Sequence, residues 1–238
     1  MGIGQHFVLL ALAATLTLGC GVSPQPLPPG ADPRIDTALL SLSEAAGEVV
    51  VTGAPGAATE ATTVRLTNLE GAEPFVDVDV AGDGSFVASS PGALFDLLRL
   101  QAFASQERSE PVDVTGTSDG GPAVPAPVPT SCLQIDPPLE IQGAPVALTA
   151  PIQDFTITAR NDCGAAVVLA AVELRLGDAF QSLVGAQVPR TLAPGESFDI
   201  ALGFKSMTAG VFEDVAILRL DATDGPRRFV TLRGVTQP

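Results

Sequence analysis

The sequence predicts an all-β protein, two antiparallel β-sandwiches joined by a Pro-rich linker, and three observations carry that reading. Short runs in which apolar and polar residues alternate recur over residues 36–114 and 132–238, the period of a strand with one buried face. Gly, Pro, Asn and Asp separate these runs at short intervals, as chain reversals require. Two stretches rich in Pro and Gly, residues 20–35 and 115–131, lack the alternation and leave two pieces of ordinary domain size.

The chain opens with Phe7 to Leu18 (FVLLALAATLTL), apolar and uncharged but shorter than the roughly 20 residues a helix needs to cross a bilayer. Its length is that of a signal-peptide core, and small residues follow it. Leu16-Thr17-Leu18-Gly19-Cys20 resembles the lipobox of bacterial lipoproteins. The resemblance implies a signal peptide over residues 1–19, cleavage before Cys20, and acyl chains of the palmitate type on that cysteine. Two positions depart from the family pattern: MGIGQH has no Lys or Arg, and Thr17 stands where Leu is usual. An ordinary cleaved signal and a retained anchor are the alternatives, while myristoylation at Gly2 lacks its Ser or Thr at position 6. Residues 20–35 follow as a lipidated cysteine and flexible tether.

Within residues 36–114, strands are expected in TALLSLS, GEVVVTG, TTVRLTN, FVDVDV, SFVAS, LLRLQAF and PVDV. In FVDVDVAGDGSF, Val76, Val78 and Val80 face one side and Asp77 and Asp79 the other, and Asp83-Gly84 supplies a hairpin turn. Asp77, Asp79 and Asp83 also offer hard oxygen ligands to calcium, but their spacing is not that of an EF-hand loop, and a solvated strand face accounts for them. VVVTGAPGAATEATTVRLTN followed by GDGSF and LRLQAF resembles bacterial immunoglobulin-like surface modules. TGTSDGGPAVPAPVPTS (residues 115–131) reads as a semi-rigid spacer that holds the two halves apart.

Residues 132–238 alternate at Phe155, Ile157 and Ala159, at Val172, Leu174 and Leu176, and at Phe198, Ile200, Leu202 and Phe204, with LAPGES and TAGVFED as turns between. The succession CLQIDPPLEI, FTITARNDCGAAVVLAAVEL, LAPGESFDIALGF, AGVFEDVAILRL and FVTLRGV resembles the ASH or Hydin-like domain of bacterial choice-of-anchor D proteins over this whole half. The resemblance implies an immunoglobulin-like sandwich of about seven strands, related in shape to major sperm protein and pilus chaperones, in a family whose members serve mostly as binding or spacer modules. Phe204-Lys205-Ser206 stands where the family often has Phe-x-Pro.

The three cysteines are Cys20, Cys132 and Cys163. With Cys20 taken by lipid, Cys132 and Cys163 are left to form a disulfide in an oxidising compartment, two buried free thiols being the alternative. The formal net charge of −15, with Lys205 the sole lysine and no basic cluster, argues against nucleic acid as a partner. The sole histidine, His6, lies in the expected signal peptide, so the mature chain has no imidazole for Ser-His-Asp or Cys-His catalysis or for metal ligation. Carboxylate chemistry lacks an Asp-Thr-Gly or Asp-Ser-Gly motif, and no Ser-x-x-Lys precedes Lys205. Neither enzymatic activity nor a cofactor or metal is therefore expected. With no Trp or Tyr the chain also lacks the usual sugar-stacking and hot-spot residues, and its mature phenylalanines are expected mostly in the core.

These readings converge on a non-enzymatic envelope or surface lipoprotein held to a membrane by its lipid, with a protein partner met through exposed sheet edges. Gly21 after Cys20 is not the Asp of inner-membrane retention, which favours the outer membrane or cell surface of a bacterium. The alternative is a ligand- or solute-binding receptor lipoprotein, which needs a concave pocket, often between domains.

Overall fold

A computed structural model describes residues 32–105, 107–183, 187–222 and 225–238. Cys20, the expected signal peptide and most of the expected tether lie outside the described residues. Asp36 caps a 3₁₀ turn at Thr37–Leu39, so the first long strand begins only at Leu40, inside the run TALLSLS. In chain order the first half forms β1 (Arg34–Ile35), β2 (Leu40–Ala45), β3 (Glu48–Gly53), β4 (Ala58–Thr59), β5 (Thr63–Asn68), β6 (Val76–Asp79), β7 (Phe86–Pro91), β8 (Leu98–Ala104), β9 (Glu107–Arg108), β10 (Val112–Thr115), β11 (Gly121–Pro122) and β12 (Val124–Pro125).

These strands build two facing sheets, β11-β2-β3-β7 and β12-β10-β8-β5-β6, with β9 on β8 and a separate β1-β4 pair. Ala46 and Gly47 both take positive φ (55° and 82°), the geometry of a tight hairpin matched to strand twist, and so set the β2–β3 register. With β2, β3 and β7 in one sheet and β6, β5, β8 and β10 in the other, the order is that of an immunoglobulin-like Greek-key sandwich. Its core comes from the inward positions the alternation selects, among them Leu42, Val51, Leu66, Leu98 and Leu100.

The second half forms β13 (Leu133–Asp136), β14 (Glu140–Gln142), β15 (Val146–Ala147), β16 (Gln153–Asn161), β17 (Val167–Leu174), β18 (Phe180–Ser182), β19 (Arg190–Leu192), β20 (Ser197–Phe204), β21 (Gly210–Leu220) and β22 (Arg227–Gln237). The sheets are β13-β16-β20-β18 and β14-β22-β21-β17-β19, with β15 also on β22. Its opening strand is divided: β13 runs antiparallel to β16, and then β14 and β15 run parallel to β22 in the opposite sheet. That crossover joins the two sheets at one margin. The core holds a chain of rings, Phe155, Phe180, Phe204 and Phe212, with successive contacts between centroids of 4.9 to 6.4 Å. Fully buried Asn161 donates to Ala165 O and Leu192 O and accepts from Cys163 N, satisfying the loop beside it. Cys132 and Cys163 form a disulfide, tying the start of β13 to that loop.

Residues 115–131 differ from the expected spacer. Gly121–Pro122 pairs with β2 and Val124–Pro125 with β10, so the middle of the stretch closes both sheets of the first sandwich. Prolines sit here without conflict because both strands are sheet ends, where a missing N–H costs no ladder bond.

Nor do the halves stand apart. The strand positions that point away from the first core, Arg65 and Thr67 on β5, Arg99 and Gln101 on β8 and Asp113 on β10, lie against the outward positions of β21, β22 and β14. The two sandwiches are stacked sheet on sheet, in four layers. Leu69 and Leu97 from one side meet Val215, Ile217 and Phe229 from the other in a small apolar cluster of their own.

Candidate functional site: the stacked faces and the open sheet ends

Alternation places Arg99 on the outer face of β8, and stacking buries it to 4 % exposure. All five of its N–H groups find acceptors. Nε and Nη2 form a fork on Asp113 at 2.7 and 2.8 Å; Nη1 reaches Leu139 O and Thr231 Oγ1, each at 2.8 Å; Nη2 also reaches Phe229 O at 3.1 Å. Only a planar guanidinium presents five donors in that fixed fork. One carboxylate from its own sandwich and three oxygens from the other therefore converge on a single side chain.

Arg65 makes the second junction. Its Nε and Nη2 each lie 2.7 Å from Asp77, its guanidinium sits 3.6 Å from the Phe75 ring centroid, and Nη1 pairs with Glu213 of the second sandwich. Glu213 is shared with Arg233 at 2.6 Å. Burial works against the Arg65 charge, but the bond to Asp77 and the fields of Glu213 and Asp77 outweigh it and raise its pKa. Arg108 pairs with Glu140 and with Gln142 Oε1; burial lowers its pKa, with Glu140 opposing. Gln101 bridges Ser109 O and Glu140 at 2.9 Å, Arg175 donates to Gly71 O at 2.9 Å, and Arg227 pairs with Glu70. Arg65, Arg99, Arg108, Arg175, Arg227 and Arg233, scattered singly along the chain, are gathered here by the fold.

At the rim of the stack a groove of about 740 Å³ runs beneath the segment that leads from one sandwich to the next. Leu97, Phe229, Pro127 and Pro129 line its apolar part, the Glu70–Arg227 pair lies within it, and Phe95, 70 % exposed, stands at its mouth. Sequence reading assigns the phenylalanines mostly to the core. Phe229 and Phe95 depart from that, one buried between sandwiches and one in solvent, because both sit at outward or loop positions.

The aspartates considered for calcium do not converge. Asp77 is held by Arg65, Asp79 is exposed on β6, and Asp83 accepts from Ser85 N at 3.0 Å; the Ser85 hydrogen bonds lower its pKa. Among the described residues no group of three or more His, Cys, Asp or Glu is placed to hold a metal ion. Lys205 is exposed at the end of β20.

The sheet ends differ in how they finish. β11, β12, β14, β15, β18 and β19 are two or three residues long, and β6 and β13 four; short ends of this kind discourage pairing with another chain. β7 is six residues long and uncharged, FVASSP, and it closes its sheet beyond β3. Gly92 N donates to Gly47 O at 3.0 Å. With the β3–β7 register this turns the even-numbered positions of β7 toward β3 and the odd-numbered ones outward. Consistently, Ser85 O accepts from Ala81 N and Pro91 O from Asn68 Nδ2. Between those two points the N–H and C=O groups of Val87 and Ser89 face outward.

No family model matches the chain, and no curated protein matches it. Among solved structures it is similar to the ASH/PapD-like domain 7 of human CEP192, at 13 % identity over 51 % of this chain and 96 % of that one, with a TM-score of 0.35. A protein of unknown function from Porphyromonas gingivalis W83 is 10 % identical over 86 % of this chain and 99 % of that one, TM-score 0.35. The VesB protease of Vibrio cholerae is 15 % identical over 74 % and 63 %, TM-score 0.36. Similarity at this level carries no functional argument. Strand order and register make the chain a stacked pair of immunoglobulin-like β-sandwiches.

Proposed function

We propose that this chain is a non-enzymatic lipoprotein of a bacterial envelope or surface, anchored through Cys20, that works as a structural and protein-interaction module. The observation that carries the reading is how the charged side chains are used. Arg65, Arg99, Arg108 and Arg227 are bound to Glu213, Glu140, Glu70 or backbone across the stack, with Arg233 sharing Glu213 from its own side, fixing two sandwiches as one block and leaving the sheet ends at its periphery. Contact through sheet ends uses main-chain hydrogen bonds and needs no Trp or Tyr anchor. Lipid on Cys20 would place that block at a membrane, with the outer membrane or cell surface favoured by Gly21.

The experiment is photo-crosslinking in cells from probes placed at β6, β7, β18 and β19, alongside the intact mass of the membrane-extracted protein. A mass beginning at Cys20 with acyl chains, and a discrete crosslinked partner from at least one sheet end, are expected. A mass retaining residues 1–19 removes the anchor, and silence from every end removes the interaction role. The 740 Å³ groove supports a second reading, a ligand- or solute-binding lipoprotein, because its volume falls in the range of small-molecule sites and it lies between sandwiches. In that case Phe95→Ala would abolish retention of a co-purifying small molecule and leave the crosslinks intact.

A further inference from the structure

The β7 end carries a more specific assignment, which rests on the interaction-module reading above. We propose that Phe86–Pro91 is a docking edge that receives, as an added strand, an extended segment of a partner protein rich in β-branched and small residues and flanked on both sides by Lys or Arg.

Three observations define the occupant. The open groups are two N–H and two C=O, those of Val87 and Ser89, framed by bonds to Ala81 and Asn68. That is the ladder of one short strand, about four to six residues at ~3.3 Å each. Pro91 lacks an N–H on the outward side, so the added strand ends there. Val87, 61 % exposed, and Ser89 are small side chains on the outer sheet face, and an added strand matches them with β-branched or small neighbours.

Charge sets the flanks. Between Asp36 and Leu98 the chain has ten carboxylates and one base, Arg65, and that base is taken by Asp77 and Glu213. Exposed Asp79 and Asp83 precede the edge, and Glu48 stands across from Pro91. An acidic or neutral strand meets repulsion at both ends or gains nothing there, whereas a cation at each end is attracted. A second copy of this chain, with net charge −15, brings the wrong sign.

The test is a fluorescence-anisotropy titration of the mature chain with a labelled nonapeptide in which alternating Thr and Val are flanked by two lysines at each end. Saturable binding is expected, weakened at least tenfold by Ser89→Pro, which removes one edge N–H, and severalfold by Val87→Lys, which repels the basic flanks. Thermal melts of both variants should match the parent, because Val87 and Ser89 lie outside both cores. In the complex the Val87 and Ser89 amides should gain hydrogen-exchange protection. No saturable binding overturns the proposal, as does equal binding by the Ser89→Pro chain. So does equal binding of a peptide of the same charge with proline at alternate positions, which identifies plain electrostatic attraction. Crosslinks from β6, β18 or β19 alongside a silent β7 remove this edge while leaving the interaction role standing.

Discussion

Inside each sandwich the contacts are almost wholly apolar, whereas between the sandwiches they are arginine, carboxylate, glutamine and threonine around a small cluster of five apolar residues. The difference separates two jobs. Apolar cores supply most of the stabilisation and tolerate many arrangements of similar volume. The stacked faces fix one arrangement, since Arg99 is satisfied only when Asp113, Leu139 O, Thr231 and Phe229 O are all in place. A buried charge stripped of one partner is costly, which makes misaligned stacks unfavourable.

The comparison breaks most visibly from the core side. Phe204 is fully buried and touches Phe155, Phe180 and Phe212; Phe204→Ala should cost about 3 to 5 kcal/mol in urea unfolding. Cys132→Ser with Cys163→Ser opens a loop of 31 residues and should cost about 3 to 4 kcal/mol, confined to the second sandwich. In that variant hydrogen exchange should quicken in β13 and β16 before β5 or β8.

Arg99→Ala sharpens the contrast because its effect is on coupling as well as stability. It leaves Asp113 and Thr231 without their buried partner and should cost about 2 to 3 kcal/mol. The single unfolding transition expected of the parent should separate into two, one for each sandwich, whereas Phe204→Ala should lower one transition without dividing it. The same division should not follow Arg160→Ala, whose pair with Asp162 is exposed and local.

The smallest expected effect lies outside both regions. Bonds from Ala193 N and from Arg190 hold the Glu196 carboxyl below the usual carboxylate range. A depressed folded pKa stabilises above the unfolded value and is lost as pH falls through the folded one. Followed by carboxyl chemical shift from neutral to acid pH, Glu196 should therefore hold its charge below the usual carboxylate range, and Arg190→Ala should bring its midpoint only part of the way back, because the Ala193 N bond remains.

Most strands were legible in the sequence because alternation and turn residues are local signals. FTITARN and FDIALGF fall within strands of the expected parity, and LLRLQAF within one from its second residue on. The stacking was not legible from polarity alone, since Arg99 and Gln101 occupy the outward positions that sequence reading assigns to solvent. A signal for it was present nevertheless. Val215-Ala216-Ile217-Leu218 and Phe229-Val230 are apolar at successive positions, a pattern that marks a strand covered on both faces. The spacer reading of residues 115–131 failed where local composition gave no hint of pairing partners about 80 residues earlier, at Ser41 and Leu42. Cys132 and Cys163 were legible as a pair through parity, an argument that does not depend on the fold.

The two stacked faces are unequal before they meet, and synthesis order makes that inequality matter. The face of the first sandwich is mainly Arg65, Thr67, Arg99, Gln101 and Asp113, side chains that water can hold while the rest of the chain is still emerging. The opposing face carries Glu213, Thr231 and Arg233 but adds Val215, Ile217 and Phe229, against Leu69 and Leu97 alone on the first. The half made first can thus wait as a soluble, charged template, and the half made last folds directly onto it, hiding its apolar stripe before other chains can reach it.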